Sequence, residues 1–178
     1  MRKIRRIALS LVLAVLMLVG LAVPALAGNP TVSITVTARV ISITNSVNEW
    51  AIGVVTLSQI VYFSATGEQN NIYSQITNTG SVTVDVEIQG TDFVATNTSY
   101  NWVLGSTNSS EQYCLYANSE ATPTVYDIEV TTGGTPLVSS LIKDDTNDWS
   151  MKFTAPSAFD ASDDGEPKAA TVTLVASV

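Results

Sequence analysis

Residues 77–90 read TNTGSVTVDVEIQG, in which apolar and polar residues alternate from Val82 until the closing glycine. Successive side chains of a β-strand point to opposite faces, so this alternation is typical of a strand with one buried face. We predict that the apolar residues face a core and the polar residues face solvent: Val82, Val84, Val86 and Ile88 on the first side, Thr83, Asp85, Glu87 and Gln89 on the second. The stretch therefore indicates a sheet that is covered on one side only.

Other short segments rich in threonine, valine, serine and isoleucine follow along the chain, separated by turn signals such as NTG, TTGGTP and DASDDGEP. The predicted strands span residues 31–43, 51–61, 72–77, 82–89, 99–104, 112–117, 125–131, 149–154 and 170–176. Residues 137–142 fit either a strand or one helical turn. Many short strands at this spacing predict an all-β fold, an antiparallel β-sandwich of the jelly-roll or immunoglobulin-like type.

The first 27 residues have the layout of a secretory signal peptide. Four basic residues precede an uninterrupted apolar and small-residue run over residues 7–23, and Ala25-Leu26-Ala27 fits the small-x-small pattern of a cleavage site. We predict cleavage after Ala27 and a single β-sandwich domain over residues 28–178, secreted and located outside the cell or at its surface. An uncleaved membrane anchor is the alternative, because seventeen residues approach the lower limit of a spanning helix.

Removal of the signal would make the chain strongly acidic. The whole chain has 8 basic and 16 acidic residues, and four of the bases and none of the acids lie in residues 1–27. The mature chain therefore has 4 basic and 16 acidic residues, a net charge of −12. The four remaining bases are scattered singly, so no patch could neutralise phosphates. We expect neither nucleic acid nor, after cleavage, a membrane as partner.

The composition also excludes several kinds of chemistry. The chain has no histidine and one cysteine, so it cannot build a Ser-His-Asp or Cys-His nucleophile or an imidazole metal site. Two carboxylate pairs could in principle serve as acid and base, as in glycoside hydrolysis: Asp85 with Glu87 and Asp127 with Glu129. Each pair lies in a predicted strand whose apolar and polar residues alternate, and each fits the polar face of that strand. We predict that the protein is not an enzyme, has no catalytic residues and requires no organic cofactor.

An acidic segment near the C-terminus, FDASDDGEP, is a candidate calcium site. It supplies four carboxylates and a glycine for the turn, and calcium prefers six to eight oxygen ligands from such loops: Asp160, Asp163, Asp164 and Glu166 are the candidate ligands. A solvated acidic loop is the alternative, because charge runs commonly serve solubility. The sequence leaves both interpretations open.

Two asparagines and the single cysteine are candidates for modification. Asn97 and Asn108 begin the sequons NTS and NSS and would be glycosylated only in a host that modifies exported proteins. Cys114 has no intramolecular partner, so we predict a buried, inert thiol, with an intermolecular disulfide as the alternative.

The segment TVSITVTARV, residues 31–40, follows the predicted cleavage site and alternates strictly. Its apolar face consists of Val32, Ile34, Val36, Ala38 and Val40. An ordinary sandwich would fold this strand back as its own first strand. The alternative is donation, in which the strand completes a neighbour's sheet and propagates a head-to-tail filament. The sequence thus predicts self-association into a homopolymer through this assembly strand.

Two families share features with the chain. The polar turn and alternating strand TNTGSVTVDVEI, placed after a signal peptide and an early strand, resemble over residues 32–88 the layout of camelysin and the biofilm-fibre subunits of bacilli. That resemblance implies a jelly roll whose fibres assemble outside the cell by lending a strand. WVL at Trp102 and WSMKFTAP at Trp149 resemble the WxL cell-wall-binding family, although Met151 replaces the family's leucine. This second resemblance implies binding to the cell wall.

Two functional classes remain on these grounds. The uniform strand content and the absence of catalytic chemistry favour a structural protein of the cell surface, a subunit of a filament or biofilm assembly. A cell-wall or glycan-binding module, stabilised by calcium, is the second hypothesis, and it would require exposed aromatic side chains.

Overall fold

The structure, a computed structural model, describes residues 35–63, 73–96, 100–160 and 165–178. Twelve strands form in these ranges: β1 Ile43–Asn45, β2 Ile60–Phe63, β3 Ser74–Asn78, β4 Val84–Gly90, β5 Val94–Ala95, β6 Val103–Leu104, β7 Gln112–Asn118, β8 Ile128–Glu129, β9 Thr135–Leu141, β10 Thr146–Thr154, β11 Lys168–Ala169 and β12 Val172–Ser177. The described residues contain no helix, and hence none that could cross a membrane. The predicted signal peptide lies outside the described residues.

The larger sheet has the order β1-β3-β10-β7-β6, with β2 also paired to β10 and β8 to β7. Strands β2 and β3 lie one after the other along the same edge of β10, where Phe63 pairs with Met151 and Ser74 with Trp149. All pairings in this sheet are antiparallel except that of β6 with β7. Strand β10 is nine residues long and pairs with β2, β3 and β7, so most of the sheet is built around this one strand.

The smaller sheet has the order β12-β4-β9, and both of its pairings are antiparallel. Just before β12, the short strand β11 pairs with β5 in a separate two-stranded ladder. The backbone N–H of Thr91 donates to the carbonyl of Thr171 at 3.1 Å, which continues the β12–β4 ladder toward that pair. Residues 168–177 thus lie antiparallel to the segment that runs from β4 into β5.

One hydrophobic core joins the two sheets. Val84, Val86 and Ile88 of β4 are at most 1% exposed, and they belong to one buried cluster with Ile76 and Phe153 of the larger sheet. Asp85 and Glu87 between them are exposed. The predicted all-β fold of antiparallel sheets is confirmed, the arrangement is consistent with a β-sandwich, and the two faces of β4 lie as the alternation predicts. Residues 38–178 form one compact unit.

A buried asparagine links the two sheets. The side-chain amide of Asn78, at the end of β3, donates to the carbonyls of Val82 and Leu141 at 2.8 Å each. Its side-chain oxygen accepts from the N–H of Gly80 at 2.9 Å. Asn78 is 0% exposed; its bonds with Leu141 and Gly80 are buried, and its bond with Val82 is partly buried. The side chain holds the turn between β3 and β4 and the end of β9 in one arrangement.

Two predicted strands, over residues 31–43 and 51–61, are wrong for most of their described residues, since only Ile43 of the first and residues 60–61 of the second lie in strands. Residues 51–59 form no strand, because Gly53 has a φ of +80° and Ser58 a φ of 54°, backbone conformations that interrupt an extended ladder. Residues 35–42 also form no strand, and the first ladder begins at Ile43. The predicted strands over 99–104 and 125–131 shorten to β6 and β8, while the ambiguous segment 137–142 is resolved as part of β9.

Candidate functional site

The smaller sheet ends at β12, and no described strand pairs with its outer edge. In an antiparallel ladder, alternate residues direct both backbone groups to the partner. Thr171 directs both groups toward Thr91: its carbonyl accepts from the N–H of Thr91, and its own N–H donates to the Thr91 hydroxyl. The N–H of Gly90, opposite Val172, donates to the carbonyl of Thr131 on the other side of β4. By this alternation Val172, Leu174 and Ala176 turn their N–H and C=O groups away from β4. Their side chains pack against the core.

The outer edge of β12 lacks the devices that usually protect a sheet edge. Its sequence, VTLVAS, has no charge, proline or glycine, and its pairing with β4 is regular over six residues. Strand β9, at the opposite end of this sheet, contains Pro136 and a residue of positive φ, Ser140 at 56°, and its pairing with β4 is shifted twice. Bulges and proline discourage edge-to-edge pairing. Of these two edges, that of β12 is therefore the one open to another strand.

A groove of about 620 Å³ opens beside this edge and reaches the core. One wall is formed by residues 168–170 and 172–174, and the other by β1 and residues 47–50. Its floor includes core side chains that are otherwise 2–4% exposed: Phe63, Leu115, Trp149 and Met151. The groove is thus an opening between the two sheets, and an additional strand beside β12 would cover the core side chains on its floor.

A second hollow of about 460 Å³ continues the groove toward residues 165–168. The two hollows adjoin, since Trp50, Phe93 and Lys168 line both. The second is rich in aromatic rings: Trp102 stacks on Phe159 with ring centroids 5.1 Å apart and planes at 5°. We call the two hollows together the edge groove. It runs beside residues 165–174.

The described part of the assembly strand lies outside any ladder. Val36 is 82% exposed and Val40 is 53% exposed, and Ala38 between them is exposed as well. The backbone N–H of Val40 donates to the Ser81 hydroxyl at 2.9 Å, and the N–H of Ser81 donates back to the Val40 carbonyl at 2.8 Å. The backbone is therefore hydrogen-bonded at Val40, whereas the side chains of Val36 and Ala38 are exposed. Val32 and Ile34 lie outside the described residues.

The candidate calcium ligands are only partly described. Asp163 and Asp164 lie outside the described residues, and no group of three metal-ligating side chains occurs elsewhere in the described chain. The backbone N–H of Asp160 donates to one carboxylate oxygen of Glu111, and Glu166 lies at the edge groove. Calcium binding stays a prediction here. Calorimetric titration of the protein and of Asp163→Asn/Asp164→Asn distinguishes a site in this loop from a solvated acidic segment.

The carboxylate pairs considered for catalysis have ordinary structural partners. An oxygen of Asp85 accepts a hydrogen bond from the N–H of Ser140 at 2.7 Å, which ties β4 to the irregular part of β9. An oxygen of Asp127 accepts from the side-chain amide of Asn118 at 3.3 Å. Both aspartates are exposed and lie on strand or loop surfaces. Neither pair lines the edge groove.

The structure confirms that Cys114 is buried, at 4% exposure. Burial raises the pKa of its thiol above the usual range, the Glu129 carboxylate raises it further, and Lys152 acts in the opposite direction. A thiol with a raised pKa carries less of the reactive thiolate at neutral pH. Cys114 is therefore suited to packing.

The side chain of Asn108, the acceptor residue of the second sequon, makes two hydrogen bonds within the fold. Its side-chain amide donates to the Ser58 hydroxyl at 3.1 Å and to the Ala155 carbonyl at 3.3 Å. A glycan on that nitrogen would replace one of its two hydrogens, so the side chain could not keep both contacts, and modification of the folded chain would disturb the loop before β2. Asn97 lies outside the described residues.

No protein-family description, no curated protein and no solved structure matches this chain at a significant level. Sequence reasoning missed the edge groove and the open side of β12. The one available signal was the composition of VTLVAS, which lacks the lysine or proline that commonly protects an edge strand.

Proposed function

We propose that this protein is a secreted, non-enzymatic structural protein of the cell surface, a subunit of an extracellular filament joined by N-terminal strand exchange. The single observation that supports it most directly is the exposure of Val36, Ala38 and Val40 outside any ladder. In an ordinary sandwich these residues would belong to the first strand, with their apolar side chains in the core. Here their side chains are exposed, so a second copy could bury them.

The energetics of such an exchange are favourable in principle. Burying apolar surface stabilises association by roughly 25 cal/mol per Å², and the assembly strand has five apolar side chains on one face. An added strand also gains main-chain hydrogen bonds along a sheet edge. Because donor and acceptor are different surfaces, the contact is head-to-tail and does not close, which produces a filament.

We predict that Ile34→Asp/Val36→Asp abolishes polymer formation by the secreted protein while leaving its melting temperature nearly unchanged. The two charges would have to enter an apolar site, which costs several kcal/mol per unpaired charge. The matched control is Thr35→Asp/Thr37→Asp, which adds the same charge to the opposite face of the same segment. Negative-stain microscopy and light scattering would compare the three proteins. Polymers formed equally by all three would contradict strand exchange.

A cell-wall or glycan-binding module is the second candidate, favoured by the aromatic end of the edge groove. Trp102 is partly buried and stacked on Phe159, and such rings can present an apolar face to a ligand. This function predicts that the monomeric protein co-sediments with purified cell wall or insoluble polysaccharide and that Phe159→Ala weakens the binding. Sedimentation only of polymers, with no loss in that variant, favours the structural function instead.

A further inference from the structure

We propose that the outer edge of β12, together with the edge groove, is the acceptor for residues 31–40 of a second copy of this chain. The inference rests on the proposed function, because it names the surface on which the donated strand binds. The proposed contact joins the outer edge of β12 and the edge groove of one copy to residues 31–40 of the next.

The main chain of β12 is suited to pair with an added strand. Val172, Leu174 and Ala176 direct their N–H and C=O groups away from β4, and no described strand receives them. A row of unpaired backbone groups on a strand edge is a template for another strand. An incoming strand would lie about 4.8 Å beyond β12 and extend the smaller sheet by one position.

The groove favours an amphipathic strand as the occupant, because a strand added there would have one face over the core. The floor beneath that position is apolar and aromatic, with Phe63, Trp149 and Met151 at its base. The occupant must therefore place apolar side chains on its inner face and polar ones on its outer face. Residues 31–40 meet this requirement at every position, with alternate apolar residues and mainly threonine and serine between them.

The groove and the segment can also be compared in extent and in charge. The edge groove runs beside residues 165–174, and residues 31–40 would span about 33 Å when extended. The only charge in the segment is the basic Arg39, whereas the groove walls contain Glu49, Glu166 and Lys168, two acids and one base. The basic end of the donor thus meets an acceptor with a net charge of −1.

The test uses Val172→Pro in the full secreted chain. The N–H of Val172 points away from β4, so proline removes a donor that only an incoming strand would use, and edge strands tolerate proline at such positions. Val172→Ala is the matched control, because it removes more side chain but keeps the N–H. We expect Val172→Pro to fold and to form no polymer, whereas Val172→Ala still polymerises. Ala176→Pro repeats the test four residues along the same edge.

A mixing experiment then separates acceptor from donor. Val172→Pro retains its donor segment, and Ile34→Asp/Val36→Asp retains its acceptor edge. Neither variant should polymerise alone, but together they should form a 1:1 complex that grows no further, as measured by size-exclusion chromatography with light scattering. Polymers formed by both Val172→Pro and Ala176→Pro, or no 1:1 complex while the wild-type protein polymerises, would overturn the acceptor assignment alone. A wild-type protein that stays monomeric at high concentration would overturn the proposed function with it.

Discussion

Val84→Asp is expected to yield no soluble folded protein. Val84 is 1% exposed, lies in the core between the sheets and pairs with Leu141, which is itself 5% exposed. A carboxylate at this position would be buried without a partner, and such substitutions cost about 4–5 kcal/mol or more. Because domains of this size are stable by only about 5–15 kcal/mol, most or all of the stability would be lost. Soluble yield and circular dichroism would measure the effect.

The controls for this substitution lie on the same strand. Thr83→Asp adds the same charge next to Val84 on the exposed side, and such surface changes usually alter stability by less than about 0.5 kcal/mol. Asp85→Asn with Glu87→Gln removes two charges but keeps an oxygen at position 85 to accept from Ser140. Both control proteins should fold. If the controls lost as much stability as Val84→Asp, the two faces of β4 would be assigned the wrong way round.

Asn78→Ala is expected to lower the free energy of unfolding by about 3–5 kcal/mol. It removes the side-chain partner of two buried groups, the Leu141 carbonyl and the Gly80 N–H, and of the partly buried Val82 carbonyl. Each buried group that loses its hydrogen bond costs about 1–3 kcal/mol. Urea denaturation would measure the loss. The neighbouring Thr79→Ala, which removes an exposed hydroxyl contact with Ser42, is the control and should change little.

The variant Asn78→Asp adds a pH test of the same site. Its ionised carboxylate would keep the bond from Gly80 but turn an oxygen toward two carbonyls, which destabilises the folded state and raises the pKa of the new carboxyl there. A group with a raised folded-state pKa favours folding when it is protonated, so part of the loss should be recovered as pH falls through that pKa. Equal stability of this variant and the wild-type protein at neutral pH would contradict the role assigned to Asn78.

The local pattern of the sequence predicted β4 well, because its alternation extends over the whole strand and one face is fully buried. The same reasoning failed for residues 51–59, where a dense run of aliphatic residues suggested a strand. Gly53 and Ser58 adopt positive φ there, and Val54 is 97% exposed. Composition records how apolar a segment is, but the backbone conformation at one or two residues decides whether it can join a ladder.

The edge groove could not be predicted from local patterns. It depends on which strands lie side by side, and the end position of β12 follows from pairing with residues 85–90, more than eighty positions earlier in the chain. The alternation of β12 and that of residues 31–40 look alike in the sequence. Only β12 is placed in a described sheet. The sequence identified the candidate donor, whereas its only signal for the acceptor was the absence of lysine and proline from VTLVAS.

The end-to-end placement of β2 and β3 on β10 has a consequence for chain length. Phe63 and Ser74 pair with residues only two positions apart on β10, so the ten residues between them connect two points that lie close together on one strand. The closure entropy of such a connection grows slowly, by about 0.6 kcal/mol for each doubling in length. Lengthening it would change neither strand's register. This position can therefore vary in size between related chains while the sheet around it remains the same.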